Sequence, residues 1–267
     1  MATQSAATAA ATTNGPALAW TAFVATLVSE LKSFYREPQA LAFTLGQPFI
    51  LLLILNAFDF KFTAPNGEVR PYLDRLLPGL IAFNGMTVGL NSTAFVMSRL
   101  KSRGTLRRIR ATPIPTGSFI GGVIVSRIVI ALGVALVSYF AGVYVFGADL
   151  DGSPVLLIAL GVLGAAIFIA IGVLMVAIAR SEDDMPPMFM LILMPSMLFS
   201  GAFLDRAGLP GWLADITSLL PLTYLADAVQ RVALVGGGVG DIGKDVLGLL
   251  VWGAIGAALA SWKFRMA

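Results

Sequence analysis

Apolar residues fill this chain in long blocks, and charged residues fall almost entirely in the gaps between them. Residues 39–58, QALAFTLGQPFILLLILNAF, carry no charge over 20 positions. That is about the length a helix needs to cross ~30 Å of hydrocarbon. Further blocks follow at 76–98, 117–146, 154–179, 185–204 and 246–262. The third is long enough that it must tilt or project beyond a bilayer. The fifth holds Pro186, Pro187 and Pro195, which suit either hinges of a moving span or an interrupted start to it. The pattern predicts an all-α integral membrane fold with six transmembrane helices.

Two segments break the block pattern. Ahead of the first block, Trp20, Phe23, Val24, Leu27, Leu31 and Phe34 recur at helical spacing, while Glu30, Lys32 and Ser33 lie mostly off that stripe. This predicts an amphipathic helix at 17–37, too polar to span and suited to a membrane interface. Between the fifth and sixth blocks, two apolar pieces at 209–220 and 222–235 meet at Pro221. Their length suits re-entrant or interfacial helices rather than crossings. Residues 1–16 are Ala/Thr-rich and lack a basic start, so they read as a disordered tail. The chain thus divides into a tail at 1–16, a connecting helix at 17–37 and a six-span domain at 38–267.

Composition supports the membrane reading. The chain is 57% hydrophobic and 12% charged, with mean hydropathy +0.86. Soluble domains carry about 25% charged residues. Cys and His are absent, which excludes disulfides, thiolate metal sites and the commonest general base. With the N-terminus in the cytoplasm, the inner segments hold Lys32, Arg36, the six basic residues of 99–110, Arg127, Arg180, Lys263 and Arg265. Those are 12 of the 18 Lys/Arg. The turn RSEDD at 180–184 is acidic yet falls inside. Six spans place both termini in the cytoplasm.

Candidate chemistry is sparse. GVGDIGKD at 238–245 nearly fits a phosphate-binding loop, but Asp245 stands where the Mg²⁺-binding hydroxyl is needed and no strand precedes it. It reads as a Gly-rich turn into the last span. No span has an ionisable group at its centre, which disfavours intramembrane catalysis and proton-coupled transport. No catalytic, cofactor-binding or metal residues are therefore assigned. Arg127 lies well inside the third block. It either snorkels to the cytoplasmic interface or contacts an anionic head group or a partner. Asn84 and Asn91 share a helix face, as do Gly85 and Gly89, which suits helix packing or the lining of a translocation path.

The most basic stretch is SRLKSRGTLRRIRATPIP at 98–115, with six Lys/Arg and no acid. Arg99, Arg103, Arg107 and Arg110 fall on one face of a short helix that Pro113 and Pro115 stop. A loop of about 18 residues pinned between two spans has no room for a nucleic-acid-binding domain. It suits docking of a soluble partner.

SRGTLRRIRATPIPTGSFIGGVIVSR resembles the coupling region of ABC-2 type export permeases, in which a basic R-G-T-L-R-R-L-R-A-T-P string links spans two and three. YLDRLLPGLIAF, REPQALAFTLGQPFILLLIL, LFSGAFLDRAGLPGWLADITSLLPLTYLADAVQRVAL and WKFRM resemble other family segments, in the family's order. The likeness covers about residues 18–267 and is strongest to the drug-exporter branch, similar to daunorubicin-resistance permeases. Two positions depart from it. Ser102 stands where relatives often carry Glu, and LDRAG replaces the usual aromatic-Pro after S-G-x-F.

The resemblance implies an exporter subunit in a bacterial-type inner or plasma membrane. Its partners would be a separate ABC ATP-binding subunit, which carries the ATP and Mg, a second permease copy or paralogue, and membrane lipid. A coupling helix at 99–112 would dock that ATPase through Arg99, Arg103, Gly104, Thr105, Leu106, Arg107 and Arg110. Substrate would pass between two permease halves, with Asn84, Asn91, Met194 and Phe199 as path candidates. The cargo would be hydrophobic or amphipathic: a drug, a lipid or a lipid-linked glycan. The rival expectations are a membrane scaffold or assembly factor without transport, and an intramembrane enzyme with unrecognised chemistry.

Overall fold

The computed structural model describes residues 16–38, 42, 46, 50, 52–54, 57, 61–63, 67–102, 104, 115–203, 206 and 210–266. Most of the expected first span, the N-terminal tail and most of the basic string lie outside these residues.

Helix α1 covers Pro16–Arg36. Its stripe from Phe23 to Phe34 is half-buried along helix α3, Thr116–Val145, while Trp20 and Tyr35 stay exposed. Gly122 on α3 lets α1 come close, because a Cβ there would lie 2.8 Å from Thr26 Cβ and 2.9 Å from the Phe23 carbonyl. A hairpin precedes the next helix: strand β1, Lys61–Thr63, pairs antiparallel with β2, Val69–Pro71. The sequence pattern had no strand here, because three-residue strands are too short to show alternation.

Helix α2 runs Tyr72–Ser102, extending the expected second span at both ends. A π-helical turn at Val88–Ser92 interrupts it. Helix α4, Pro154–Ile178, and helix α8, Gly243–Met266, follow the pattern closely, as does α3. The described residues hold four helices long and apolar enough to cross a membrane: α2, α3, α4 and α8 as far as Lys263. The block at 185–204 forms a shorter helix, α5, at Met185–Phe199. Its 15 residues span roughly 22 Å. Pro186 and Pro187 sit in its first turn, where a missing N–H is tolerated, and Pro195 lies inside it. The two pieces meeting at Pro221 are helices α6, Gly211–Ser218, and α7, Pro221–Val235. GVGDIGKD leaves α7 as a turn in which the Gly238 amide donates to Asp241 Oδ2 at 2.8 Å.

Helix α4 is the centre of the bundle and packs on α2, α3, α7 and α8. Its contact with α2 is backbone on backbone. A Cβ at Gly85 would lie 2.6 Å from the Gly161 carbonyl oxygen, and one at Gly89 would lie 2.4 Å from that of Ala165. These small residues recur four apart on both helices, the pattern that lets membrane helices approach closely. Asn84 Nδ2 donates to Ser138 Oγ at 3.1 Å and so ties α2 to α3 beside that contact. Helix α2 is 72% buried over its most apolar window and α8 only 22%. Hence α2 is shielded inside the bundle and α8 faces outward.

Gly85→Ala is expected to destabilise the fold by about 2 kcal/mol through backbone overlap. Gly133→Ala is the control, since a Cβ there meets nothing within 4 Å. It should leave stability unchanged or slightly raised, as Ala is the better helix former. Thermal unfolding of the detergent-purified chain, read side by side for the two variants, checks both.

Candidate functional site

The basic string begins at the end of α2, and that end is clamped to its neighbours. Lys101 Nζ donates to the carbonyl oxygens of Val176 at 3.1 Å and Ala179 at 3.2 Å. These are among the last carbonyls of α4, which lack partners inside their own helix and attract a cation. Arg99 Nε lies 3.3 Å from Glu182 Oε1. The Ser102 hydroxyl lies 3.2 Å from both Glu182 Oε2 and the Arg99 carbonyl, and donates to one at a time. The acidic turn at 180–184 therefore sits against the basic helix end. Glu182 brings a carboxylate from another element to Ser102, the position where the family resemblance leads one to expect a Glu.

The turn presenting Glu182 is itself braced. Ser181 and Asp184 form a reciprocal capping box at the start of a 3-10 turn, Glu182–Asp184. Asp184 Oδ2 accepts the amides of Arg180 at 2.8 Å and Ser181 at 3.0 Å. The backbone amides of Ser181 and then Arg180 hold this carboxyl below the usual carboxylate range. Past Ser102 the chain turns at Gly104, whose φ of +66° is left-handed and whose amide donates to the Lys101 carbonyl at 3.2 Å. That is a helix C-terminal cap, and it explains the Gly of the R-G-T string. Arg103, Thr105, Leu106, Arg107 and Arg110 lie outside the described residues.

The other candidates do not converge. Asn84 is buried in its bond to Ser138, while Asn91 is half-buried within the π turn. Met194 is exposed on α5, beside Met190, Leu191 and Leu198, and Phe199 is half-buried at the end of that helix. Arg127 is not at the surface. It is 3% exposed and its Nη2 donates to Glu30 on α1. Snorkelling is therefore replaced by an internal ion pair, because α1 covers this face of α3.

At the opposite end of the bundle, Arg206 Nη2 contacts both Asp227 carboxylate oxygens at 2.5 and 2.6 Å, and Gln230 Nε2 donates to the Gly201 carbonyl at 2.7 Å. The LDRAG departure thus supplies a cation that ties the segment after α5 to α7. Glu30, Lys101, Glu182 and Asp227 were all missed in the sequence. Each acts through a partner at least 21 positions away, which no local spacing shows.

The depressed Asp184 carboxyl stabilises the turn above the usual carboxylate range and loses that effect as pH falls through its lowered folded value. Amide exchange at Arg180 and Ser181, corrected for the intrinsic pH dependence of exchange, is expected to stay slow above the ordinary carboxylate range and to accelerate as pH falls through the lowered Asp184 value. Asp184→Asn should accelerate it across the whole range. Hydrogen exchange followed by mass spectrometry is the measurement.

Comparison with known proteins places this arrangement. Residues 21–234 match the ABC-2 type transporter family. The inner membrane transport permease YhhJ of Escherichia coli K12 is 27% identical over 180 residues, covering 65% of this chain and 46% of YhhJ. The probable multidrug ABC transporter permease YbhR of the same organism is 22% identical over 190 residues, covering 71% of this chain and 52% of YbhR. ABC transporter G family member 20 of Dictyostelium discoideum is 23% identical over 175 residues, 66% of this chain and 24% of that protein. The chain spans about half, or less, of the curated relatives it matches. Spanning-length helices α2, α3 and α8 packed around a fourth, α4, a match over most of the sequence and these permease relatives agree: the chain is a multi-pass membrane protein that belongs to the ABC-2 type transporter family.

Proposed function

We propose that this chain is the transmembrane subunit of an ATP-driven exporter. In this reading the end of α2 and the segment after it form the coupling element, facing the cytoplasm. One observation carries the reading. The α2 end is fixed by Lys101, Arg99 and Ser102 to α4 and to the 180–184 turn, and α4 touches α2, α3, α7 and α8. A push on residues 103–112 would then reach four helices at once. In this reading the 39–58 block and helix α5 supply two further crossings, which complete six and leave both termini inside, as the Lys/Arg distribution favours. The charged end of α2 is suited to docking, and in this reading the ATP and Mg sit on a separate ABC ATP-binding subunit.

A second copy or a paralogue completes the transport path. The apolar sides of α5 and α8 suit such a neighbour: Met190, Leu191, Met194 and Leu198 on one, Leu250, Val251 and Ile255 on the other, all exposed. The cargo is hydrophobic or amphipathic, whether a drug, a lipid or a lipid-linked glycan. The "multidrug" in the printed name of YbhR is in keeping with this.

The test is co-expression with ABC ATP-binding subunits from the same genome, starting with any that is encoded beside this chain. Complex yield and ATP hydrolysis in liposomes are then compared for the natural chain and for Arg103→Glu/Arg107→Glu. Complex recovery is expected to fall about tenfold or more, the scale of reversed charges at a docking surface. Unchanged yield and unchanged hydrolysis would show that the string does not dock the ATPase. Absence of substrate-stimulated hydrolysis in the natural complex would favour a scaffold.

A further inference from the structure

The buried Arg127–Glu30 pair forms one wall of a cavity of about 240 Å³ that the transport reading leaves unused. Its lining comes from three helices: Glu30, Ser33 and Phe34 of α1, Arg99 of α2 and Arg127 of α3, with Glu37 just past the end of α1. It lies at the charged end of α2, where the apolar run gives way to Arg99 and Lys101. This is headgroup depth, whichever way the protein faces. The volume is below the about 300–1,000 Å³ typical of sites for drug-sized molecules.

Three features define what fits. First, Arg127 is 3% exposed, and its buried Nε has no hydrogen-bond partner among the described residues. A buried guanidinium N–H left unpaired is costly, so an acceptor brought by a ligand would be favourable there. Second, the charged lining is two guanidiniums and two carboxylates, formally neutral, so it matches a ligand carrying both signs rather than a plain anion. Third, Val96 and Leu100 give the cavity an aliphatic wall, which suits a glycerol backbone and the start of acyl chains.

We infer that this cavity between α1, α2 and α3 binds the headgroup of a zwitterionic phospholipid with a primary ammonium, of the phosphatidylethanolamine class. The phosphate meets Arg127 Nε and Arg99, and the ammonium meets Glu37 and Glu30. A primary ammonium brings three N–H donors to the two carboxylates. A trimethylated one brings none, and a single half-buried ring, Phe34, is no aromatic cage for it. Bound there, the lipid ties the interfacial helix α1 to α2 and α3. It is a structural ligand, independent of any cargo.

The experiment uses the full chain purified in detergent, delipidated, and titrated with phosphatidylethanolamine, phosphatidylcholine or phosphatidylglycerol of matched chains. Native mass spectrometry counts bound lipid, and thermal unfolding reads the stabilisation. Phosphatidylethanolamine is expected to bind best and to raise the unfolding midpoint most. Glu37→Gln, an exposed rim change that the fold should tolerate, is expected to cut the preference over phosphatidylglycerol about tenfold, the scale of one lost charge-assisted bond. Arg127→Lys keeps the charge but removes Nε, and should weaken all three lipids. Water-soluble glycerophosphoethanolamine separates the two sources of the same headgroup. Equal binding of that soluble compound would overturn the lipid assignment. Equal retention of the three lipids by the natural chain, or an unchanged preference in Glu37→Gln, would overturn the zwitterion site.

Discussion

The bundle depends on a place where two backbones touch. In a membrane, lipid tails are as apolar as leucine, so burial alone does not draw helices together, and packing at short range must do so. Helices α2 and α4 meet through Gly85, Gly89, Gly161 and Ala165, where the glycines of α2 lie directly against backbone carbonyls of α4. Everything else is placed by that contact. Asn84 reaches Ser138 because α2 already lies in the groove between α3 and α4. Helices α7 and α8 then cover the remaining sides of α4.

Close backbone packing also makes α2 and α4 a stiff unit, and the clamp at their shared end exploits this. Lys101 occupies the carbonyl end of α4, where the aligned peptide dipoles leave partial negative charge. Glu182 answers Arg99 and Ser102 from a turn held by its own capping box. Surface ion pairs of this kind add little stability individually. Their value here is geometric, since they fix where the basic string leaves the membrane domain. Helix α1 joins the same end through Arg127 and Glu30, a pair with far more at stake because it is buried.

Much of this was legible in the sequence. Long apolar blocks located α2, α3, α4 and α8 to within a few residues, because the demands of hydrocarbon are written into nearly every position of a span. Pro221 marked the junction of α6 and α7. The small residues Gly85 and Gly89 marked a packing face, though not the helix it packs against. The site was less legible. Arg99 and the R-G-T string stood out by charge and by family likeness, yet Glu182 looked like a misplaced acidic turn until the fold set it beside Arg99 and Ser102. Arg127 looked like a snorkelling residue because the covering helix carrying Glu30 lies 97 positions earlier. The 185–204 block was overextended, since helix formation there stops at Phe199, short of what hydropathy allows.

The π turn at Val88–Ser92 has a consequence for phase. A π turn accommodates one residue more than an α turn, and one residue is about 100° of rotation around the axis. The two halves of α2 are therefore wound out of step. The half before the turn presents Gly85 to α4, while the half after it brings Lys101 to the end of the same helix and Arg99 to the 180–184 turn. A uniform α-helix through the same residues would swing Arg99 and Lys101 about a quarter turn away from their partners. The extra residue thus acts as an angular offset, aiming the cytoplasm-proposed end of the helix independently of the face that anchors its middle.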